Sequence, residues 1–442
     1  MAGQVARRLF GTDGVRGVAG SEITAALSLS LGRAAVLQSG ISNPRVLVVR
    51  DTRESGEMLE AAIAAGLASA GAEVLLGGVL PTPAASLLIR RHRLDLGVVL
   101  SASHNVYSDN GIKFFGADGF KLSDAREHAI EEHLDEEGMG AASVGRIRPL
   151  HGAAADYIRD LHHRFQSLRL DGVNVLLDCA NGATYAVAPG VFERFGARVS
   201  TIGVDPDGRN INDGCGSTHI EALAAAVVQG GHDIGFAFDG DGDRVLAVDR
   251  DGTLVDGDEL LTLIALHLLE DGRLPGRGLA ITVMTNFAIV AALREAGIEV
   301  VTTAVGDRYV LEALRERGFA LGGEQSGHLI ELGFAPSGDG IASALLVLEA
   351  LGGRDLRDRP RIEKLPQQLV NVAVRERGAL EEAGAVHAAI ERESAGLAGR
   401  GRVLVRPSGT EPVVRVMVEA PSAQEAQAVC GRLVAIVRDE LG

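Results

Sequence analysis

Short apolar runs alternate along the chain with segments that place an apolar residue at every third or fourth position. Three runs near the start have the length and β-branched character of strands: Val46–Val49, Val74–Leu76 and Leu96–Leu100. After the first of them, Leu59, Ile63 and Leu67 repeat at helical spacing, with Ser55 as the predicted cap and Gly71 as the predicted end. This alternation predicts a mainly parallel sheet covered by helices.

The alternation recurs from about residue 173 and again from about residue 256. The strands predicted there are Val173–Leu177, Val199–Ile202, Ile234–Phe238, Leu279–Val283, Val300–Thr303 and Phe319–Leu321. The helices predicted there include Val187–Phe195, Ile220–Val228 and Tyr309–Arg317. We interpret the polar, helical stretch Asp124–Glu137 and the segment that follows it to about Pro149 as a linker region.

The end of the chain has a different order. It predicts strands Val370–Val374, Val403–Val405 and Val413–Val418, a helix near Ala379–Glu393 after the first strand, and a last helix capped by Ser422 and Glu425. The predicted fold class is therefore α/β, with three similar α/β domains and a smaller C-terminal α+β domain (βαββα) around a central cleft. The predicted domains are 1–150, 151–255, 256–366 and 367–442.

Composition and charge exclude several classes of protein. Hydrophobic residues make up 46% of the chain and charged residues 23%, which is typical of globular proteins. Aromatic residues are only 4% and tryptophan is absent, which argues against single-strand nucleic acid binding by stacking. With 43 Lys and Arg against 59 Asp and Glu, the net charge of −16 disfavours phosphate-backbone binding. A small phosphorylated ligand remains compatible with a local basic pocket.

The spacing of the cysteines and the length of the apolar runs indicate the cellular compartment of the protein. Cys179, Cys215 and Cys430 are widely separated, so neither a zinc cage nor a disulfide framework is expected. The longest apolar runs fall far short of the ~20 residues of a membrane span. We therefore expect a cytoplasmic protein with reduced thiols and no membrane association.

A polar loop follows the third strand of each predicted α/β unit. The three loops are Ser101–Asn105, Asp239–Arg244 and Gly322–His328. Ligands of open α/β sheets bind beyond the carboxyl ends of the strands, so the three loops are candidates for one shared cleft. The alternative is that they are ordinary turns.

The loop Asp239–Arg244 contains the sharpest chemical signal. Asp239, Asp241 and Asp243 alternate with glycines that permit a tight turn, and converging carboxylates favour a hard divalent cation such as Mg²⁺. A calcium EF-hand would need Gly and Glu at the sixth and twelfth positions, where Arg244 and Arg250 stand. A solvated acidic turn is the remaining alternative.

Other segments offer nucleophilic and anion-binding groups. Ser103 ends a buried strand and could carry a phosphoryl group, and Lys113 stands in an apolar strand, where a snorkelling surface lysine is the alternative. The segment Arg406–Pro412 combines a guanidinium with two hydroxyls and backbone N–H groups, as in a phosphate nest, and Arg415 follows it. A plain turn with charged residues would look similar.

The loop Gly322–His328 groups a carboxylate, an amide, a hydroxyl and an imidazole, which suits hydrogen bonding to a sugar. His328 could also act as an acid or a base near neutral pH. Gly11–Gly17 is another glycine-rich turn and contains Arg16.

Taken together and in order, these motifs resemble those of the α-D-phosphohexomutase superfamily over nearly the whole chain. The matching segments are Phe10–Gly17, Ser101–Asn105, Asp239–Arg244, Gly323–His328 and Arg406–Pro412. Within the superfamily, Val305–Val310, Gly323–His328 and Arg406–Pro412 are most similar to the phosphoglucosamine mutases of bacteria. Two departures are visible. Val106 replaces the proline that usually follows His-Asn, and Val283–Ala288 differs from the commoner Met-Ser-Asn-Leu-Gly form.

The resemblance implies a phosphomutase that interconverts glucosamine 6-phosphate and glucosamine 1-phosphate for UDP-N-acetylglucosamine and cell-wall precursor synthesis. It implies that Ser103 carries the phosphoryl group and that Mg²⁺ is held by Ser103, Asp239, Asp241 and Asp243. The implied cofactors are Mg²⁺ and a bisphosphate, glucosamine 1,6-bisphosphate or glucose 1,6-bisphosphate, as intermediate and activator.

The resemblance also implies roles for the remaining side chains. The residues implied to support phosphoryl transfer are Arg16, Lys113, Arg244 and His328. The residues implied to bind the sugar and the non-reacting phosphate are Glu324, Ser326, His328, Arg406, Ser408, Gly409, Thr410 and Arg415.

Several alternatives stay open at this point. A phosphomannomutase/phosphoglucomutase would use the same chemistry on another sugar, a metal-dependent phosphatase would release inorganic phosphate, and a noncatalytic sensor would only bind the sugar phosphate. The expected partner is a small phosphosugar, without nucleic acid or membrane, and a homodimer is compatible with the sequence.

Overall fold

Four β-sheets organise the chain in a computed structural model that describes residues 9–11, 13–134, 144–408 and 412–442. The described residues form two compact units. The first unit comprises the chain up to Met284 together with Glu299–Pro360, and the second comprises Thr285–Ile298 together with Arg361–Gly442. Three of the sheets belong to the first unit and the fourth to the second.

The first sheet has six strands in the order β1-β5-β4-β2-β3-β6. Its strands are β1 Val15–Val18, β2 Arg45–Arg50, β3 Glu73–Val79, β4 Leu96–Leu100, β5 Asp109–Gly116 and β6 Arg146–Pro149. Its helices are α1 Ala25–Ser39, α2 Ser55–Ser69, α3 Thr82–His92 and α4 Asp124–Glu132. Strands β4, β2, β3 and β6 run parallel, whereas β5 pairs antiparallel with both of its neighbours, β4 and β1. The linker interpretation is wrong for β6, because this segment pairs with β3 as an edge strand.

Helix α2 shows how the apolar pattern builds the core. Leu59, Ile63 and Leu67 are fully buried, as their spacing predicts, and Gly71 follows the helix in a left-handed conformation with φ of 98°. The predicted cap is wrong. Ser55 is the first helical residue, and its Oγ accepts a hydrogen bond from Asn110 Nδ2 at 2.9 Å instead of capping the helix.

The second sheet has five strands in the order β11-β10-β9-β7-β8. Its strands are β7 Asn174–Asp178, β8 Arg198–Ile202, β9 Ile234–Phe238, β10 Val245–Asp249 and β11 Leu254–Val255. Its helices are α5 Ala153–Arg164, α6 Ala188–Arg194 and α7 Ile220–Gly230. Strand β10, which the apolar pattern did not single out, pairs antiparallel with β9, so Asp239–Arg244 is the connection of a hairpin.

The third sheet has the order β13-β12-β14-β15. Its strands are β12 Gly278–Thr282, β13 Glu299–Thr303, β14 Leu321–Gly323 and β15 Leu329–Glu331. The helices of this part of the chain are α8 Gly257–Glu270, α9 Phe287–Glu295, α10 Asp307–Arg317 and α11 Gly340–Leu351, of which α9 belongs to the second unit. Strand β14 begins later than predicted, because Phe319 N bonds back to Leu314 O at 3.0 Å and closes the preceding helix.

The fourth sheet is antiparallel, with the order β16-β18-β17. Its elements are β16 Gln367–Ala373, α12 Gly384–Leu397, β17 Arg402–Pro407, β18 Val413–Glu419 and α13 Ala423–Leu441. Short 3₁₀ turns occur at Pro275–Arg277, Leu356–Asp358 and Arg377–Leu380, and the last of these takes the place of the predicted start of α12. Ser422 caps α13 by accepting from Glu425 N at 3.2 Å, whereas the Glu425 carboxylate accepts from Arg400 instead of completing the predicted box.

The predicted fold class is confirmed, with the difference that each α/β sheet also contains antiparallel strands. The exact domain boundaries stay a prediction. In the part of the chain that is described, no helix combines the length and the apolar character that crossing a membrane requires.

Candidate active site

Three loops of the first unit meet beyond the ends of their strands. Ser103 Oγ, after β4, donates a hydrogen bond to Asp239 Oδ2 at 2.6 Å. Val245 N, at the end of the hairpin loop, donates to Gly327 O at 3.0 Å. His328 Nδ1 lies 3.5 Å from Asp243 Oδ1. The loops that the sequence analysis singled out therefore contact one another directly.

Two glycines make this approach geometrically feasible. A Cβ on Gly240 would lie 2.6 Å from Ser103 O, and a Cβ on Gly327 would lie 2.2 Å from Val245 O. Both distances are far below van der Waals contact, so any side chain would push the loops apart. Gly327 also has a φ of 90°, which favours glycine.

The two serines of the first loop have different environments. Ser101 Oγ donates to Asp51 Oδ2 at 2.6 Å and accepts from Ser103 N at 2.9 Å, so its hydroxyl is occupied within the loop. Ser103 is in the left-handed region with φ of 53° and points its hydroxyl at the aspartate cluster. Of the two serines, Ser103 is the one whose hydroxyl faces the carboxylates.

The hairpin loop brings three buried carboxylates together. Asp239, Asp241 and Asp243 each offer an oxygen within 4.8 Å of the others. Burial raises the pKa of Asp239, and the neighbouring carboxylates of Asp243 and Asp241 raise it further. Asp241 Oδ1 and Asp243 Oδ1 are buried and make no hydrogen bond to any described residue. These converging oxygens fit a hard divalent cation, which would remove the repulsion between the three carboxylates.

Lys113 lies within this cluster. Its side chain is 1% exposed, and its Nζ lies 3.0 Å from both Asp241 Oδ2 and Asp13 Oδ2. Burial alone would lower the pKa of Lys113, but the two carboxylates outweigh burial and raise it. The alternative of a snorkelling surface lysine is therefore wrong, and Lys113 is a buried cation beside the aspartates.

Two arginines border the same carboxylates. Arg244 N donates to Asp239 Oδ1 at 3.2 Å, and Arg244 Nε lies 3.8 Å from Asp243 Oδ1. Arg16 forms a hydrogen-bonded ion pair with Asp13, while its buried Nε makes no hydrogen bond among the described residues. Both guanidinium groups therefore have donor capacity for an anionic group.

His104 is a site residue to which the sequence analysis gave no role. Its Nδ1 lies 3.4 Å from Ser103 Oγ. Burial lowers the pKa of His104 to about 4, and Arg244 and Arg16 act in the same direction. The imidazole beside the serine hydroxyl is therefore neutral at pH 7.

A chain of alternating charges connects this cluster to helix α10. Lys121 Nζ donates to both Asp13 and Asp307, and Asp13 in turn pairs with Lys113. Arg308 Nη2 donates to Glu127 Oε2 at 3.0 Å. Asp13 and Asp307 lie in segments that the motif analysis quoted without assigning them a role. Lys121 had no recognisable signal, because its partners come from distant parts of the chain.

The three predicted sugar-binding residues of the loop between β14 and β15 lie in different environments. Glu324 Oε1 accepts from Gly306 N at 3.1 Å, Ser326 is exposed, and His328 is buried. Burial alone would lower the pKa of His328, but the Asp243 and Asp307 carboxylates outweigh it and raise the pKa to about 9. His328 is therefore held in its acid form at neutral pH.

The second unit contains the remaining predicted binding residues. Arg406 of β17 and Arg415 of β18 are directly opposite each other in the antiparallel register, which puts their side chains on one face of the sheet. Burial lowers the pKa of Arg406, and the positive charge of Arg415 lowers it further. Ser408 N donates to Val413 O at 2.8 Å. Gly409 and Thr410 lie outside the described residues.

Like charges directly opposite on two strands repel each other. Arg406 and Arg415 nevertheless share one face of the sheet, where both guanidinium groups can donate to a single anion. The pair is therefore suited to a phosphate group.

Family profiles cover nearly the whole chain. Four profiles of phosphoglucomutase/phosphomannomutase match in order: α/β/α domain I at residues 7–140, α/β/α domain II at 149–252, α/β/α domain III at 256–369 and the C-terminal domain at 369–436.

Curated relatives match over their full length. A phosphoglucosamine mutase from Pelotomaculum thermopropionicum is 49% identical over 98% of this chain and 99% of the relative. Phosphoglucosamine mutases from Thermobifida fusca and Desulforudis audaxviator are 49% and 50% identical over 98% of this chain, and the match covers 99% and 98% of those relatives.

Solved structures agree with this fold. A phosphoglucomutase/phosphomannomutase family protein from Burkholderia thailandensis has a TM-score of 0.85 and 25% identity, over 99% of this chain and 98% of that chain. An N-acetylphosphoglucosamine mutase from Aspergillus fumigatus, solved with GlcNAc-6P and magnesium, shares the fold with a TM-score of 0.66 and 17% identity, over 98% of this chain and 96% of that chain. The chain therefore belongs to the phosphoglucomutase/phosphomannomutase family of the α-D-phosphohexomutase superfamily, and it is an enzyme of the phosphomutase class.

Proposed function

We propose that the chain interconverts glucosamine 6-phosphate and glucosamine 1-phosphate through a phosphoserine at Ser103 and a bisphosphate intermediate. The observation that carries this proposal is the hydroxyl of Ser103, which contacts one of three buried, converging aspartates. The choice of the amino sugar is supported by relatives at 49% and 50% identity over nearly the full chain that are named phosphoglucosamine mutase.

The reaction has two phosphoryl transfers. In the first, O1 of glucosamine 6-phosphate loses its proton and bonds to the phosphorus on Ser103, the bond from Oγ to phosphorus breaks, and Oγ takes a proton. The product is glucosamine 1,6-bisphosphate. After the bisphosphate has turned end for end, Ser103 Oγ loses its proton and attacks the 6-phosphoryl group. O6 leaves, takes a proton, and glucosamine 1-phosphate is released.

Asp239, Asp241 and Asp243 would hold Mg²⁺ together with an oxygen on Ser103, since their buried oxygens include two without hydrogen-bond partners among the described residues. Bound there, Mg²⁺ would neutralise negative charge on the transferring group.

The side chains around Ser103 stabilise the charge of the transferring phosphoryl group and supply a proton to the leaving oxygen. Arg16 and Arg244 offer guanidinium donors to the transferring phosphoryl group. Lys113 is a buried cation that can give a proton to the oxygen leaving phosphorus. His328, held in its acid form, adds positive charge beside Asp243.

The sugar and the second phosphate use other residues. Glu324, Ser326 and His328 orient the sugar. Arg406, Ser408, Gly409, Thr410 and Arg415 bind the phosphate that does not react, and the opposed pair of Arg406 and Arg415 supports this assignment. We further propose that the enzyme is cytoplasmic and supplies UDP-N-acetylglucosamine and cell-wall precursor synthesis.

A coupled assay tests the proposal with glucosamine 6-phosphate, Mg²⁺ and glucose 1,6-bisphosphate as activator. We expect glucosamine 1-phosphate as the product, and a lower rate with mannose 6-phosphate. A higher rate with mannose 6-phosphate would contradict the choice of sugar. Release of inorganic phosphate without isomer would indicate a phosphatase, and binding without turnover or phosphoserine would indicate a sensor.

A further inference from the structure

We propose that Arg53 and Asn212 are positioning residues for the phosphoryl carrier. They hold the backbone of the loop Ser101–Asn105 from two sides and thereby keep the Ser103 hydroxyl directed at Asp239. The inference rests on the proposed function for the role of Ser103, and it adds two residues that no motif of the chain indicates.

Arg53 lies under the loop as a fully buried guanidinium, with 0% of its side chain exposed. Its Nη2 donates to Ser103 O at 3.0 Å and to Asn105 O at 2.8 Å. Its Nη1 donates to Asp109 O at 2.9 Å and also to Val106 O. The rigid, planar guanidinium thus donates to four backbone carbonyls between Ser103 and Asp109. The ammonium group of a lysine cannot reproduce this geometry.

Asn212 approaches the same carbonyls from the second sheet. It lies between β8 and α7, and its Nδ2 donates to Ser103 O at 3.0 Å and to Asn105 O at 3.0 Å. Its own backbone is anchored by a hydrogen bond from Asn212 N to Ala180 O at 2.9 Å. A residue that precedes the metal-binding hairpin in the chain therefore fixes the loop that carries the serine.

The backbone N–H of Ser103 is held by the same group of residues. It donates to Ser101 Oγ at 2.9 Å, and that hydroxyl donates to Asp51 Oδ2 at 2.6 Å. Asp51 Oδ2 also accepts from Arg53 Nε at 2.8 Å. Both polar backbone groups of Ser103 are therefore bonded to one buried cluster.

The conformation of Ser103 explains why such a cluster is needed. A φ of 53° is sparsely populated for a residue with a Cβ, and it persists only where the surroundings determine it. Val106, which follows the loop, has no ring to fix its φ, and it is held through its carbonyl instead. Loss of the side-chain donors would let the backbone of Ser103 relax and move Oγ away from Asp239.

The test variant is Asn212→Gly, because Asn212 has a φ of 57° that glycine adopts without strain. The matched control is Asn181→Gly. Asn181 also has a positive φ, of 48°, but its amide donates to Asn210 O and accepts from Asp205 N instead of contacting the serine loop. Arg53→Lys is a second variant, which retains the positive charge beside Asp51 but loses the guanidinium hydrogen bonds to the loop carbonyls.

The measurement is the single-turnover rate of Ser103 phosphorylation by glucose 1,6-bisphosphate, together with glucosamine 6-phosphate affinity and the Tm. We expect Asn212→Gly to slow phosphorylation by ~10- to 10²-fold, the scale of a small misplacement of a reacting group. Affinity and Tm should stay near those of the unmodified protein, and Asn181→Gly should phosphorylate at the normal rate.

An unchanged rate in Asn212→Gly would overturn the inference. So would equal slowing in Asn181→Gly, or a loss of rate that merely follows a loss of Tm and affinity. If the unmodified protein itself accepts no phosphoryl group on Ser103, the proposed function has failed. That result is distinguishable from a failure of the positioning inference, because it is obtained before any variant is compared.

Discussion

Ser103 combines a left-handed backbone, a buried hydroxyl and a hydrogen bond to Asp239. Ser101, two residues earlier, uses its hydroxyl to connect Asp51 with the backbone of Ser103. In the proposed mechanism, Ser103 therefore carries the phosphoryl group and Ser101 holds the backbone of Ser103.

Ser103→Ala should abolish mutase turnover and phosphorylation, because it removes the hydroxyl that contacts Asp239 and is proposed to carry the phosphoryl group. Ser101→Ala should still be phosphorylated at Ser103, although it loses two hydrogen bonds. Intact-mass measurement and peptide mapping after incubation with the bisphosphate distinguish the two variants. Phosphate found only on Ser101 would refute the assignment of Ser103.

Asp241→Asn should lower the turnover number by at least ~10²-fold, the equivalent of ~2.7 kcal/mol in the activation barrier. Asp241 accepts hydrogen bonds from Thr82 and Lys113, and its other oxygen is one of the two buried oxygens that a cation would satisfy. The rate is measured at limiting Mg²⁺.

Asp249→Asn is the matched control for this substitution. Asp249 is equally buried in the same sheet, but it accepts from Asp251 N and Thr253 N of its own turn and pairs with Arg359, whose Nη1 lies 3.6 Å from Asp249 Oδ2. A normal rate in Asp241→Asn would argue against the metal site, and an equal loss in Asp249→Asn would attribute the effect to folding.

At the scale of elements, the start of α10 is joined to the first sheet by ion pairs. Asp307 accepts from Lys121, and Arg308 donates to Glu127, whose carboxylate is 2% exposed. Neither pairing could be found from spacing, because the partners are more than 180 residues apart. Helix α10 is thereby attached to the segment that follows β5 and to helix α4.

Lys121→Met should destabilise the first unit by about 3 kcal/mol or more, because it leaves the carboxylates of Asp13 and Asp307 without their shared cation. Urea unfolding measures the loss. The control is Arg45→Met, which removes a partly exposed ion pair with Glu73 and a hydrogen bond to His92 O and should cost about 1–2 kcal/mol. Equal stability of the two variants would show that the buried pairs contribute no more than the surface pair.

At the scale of the whole molecule, the proposed chemistry is divided between the two units. Ser103 and the aspartates belong to the first unit, and Arg406 and Arg415 belong to the second. A phosphomutase needs a place for each of two phosphates, since the bisphosphate must present both of its ends to one serine.

Arg406→Ala should weaken glucosamine 6-phosphate binding by ~1.5–3 kcal/mol for each charge-assisted hydrogen bond lost. Phosphorylation of Ser103 by a small donor that has no second phosphate should change little. Arg400→Ala is the control, because Arg400 is an exposed residue of the same sheet region that pairs with Glu425. Unchanged affinity in Arg406→Ala would remove the main support for a second phosphate site.

Local pattern alone determined much of this protein. The strands Leu96–Leu100 and Ile234–Phe238 agree with the structure to the residue, because a continuous apolar run between polar turns admits few boundaries. The alternating aspartates of Asp239–Arg244 are recognisable as a candidate cation site because their chemistry lies within one short segment. The order of the elements and the motifs was sufficient to predict the family.

Only the tertiary structure decided the contacts between distant segments. Strands β10 and β15 pair antiparallel with β9 and β14, and their short apolar runs have no distinctive period. Arg53, Lys121 and Asn212 look like ordinary polar residues in the sequence, and each acquires its role from partners 50 or more residues away. Hydrophobic periodicity reports which face of an element is buried, but it carries no information about which distant carbonyl or carboxylate a buried polar group will meet.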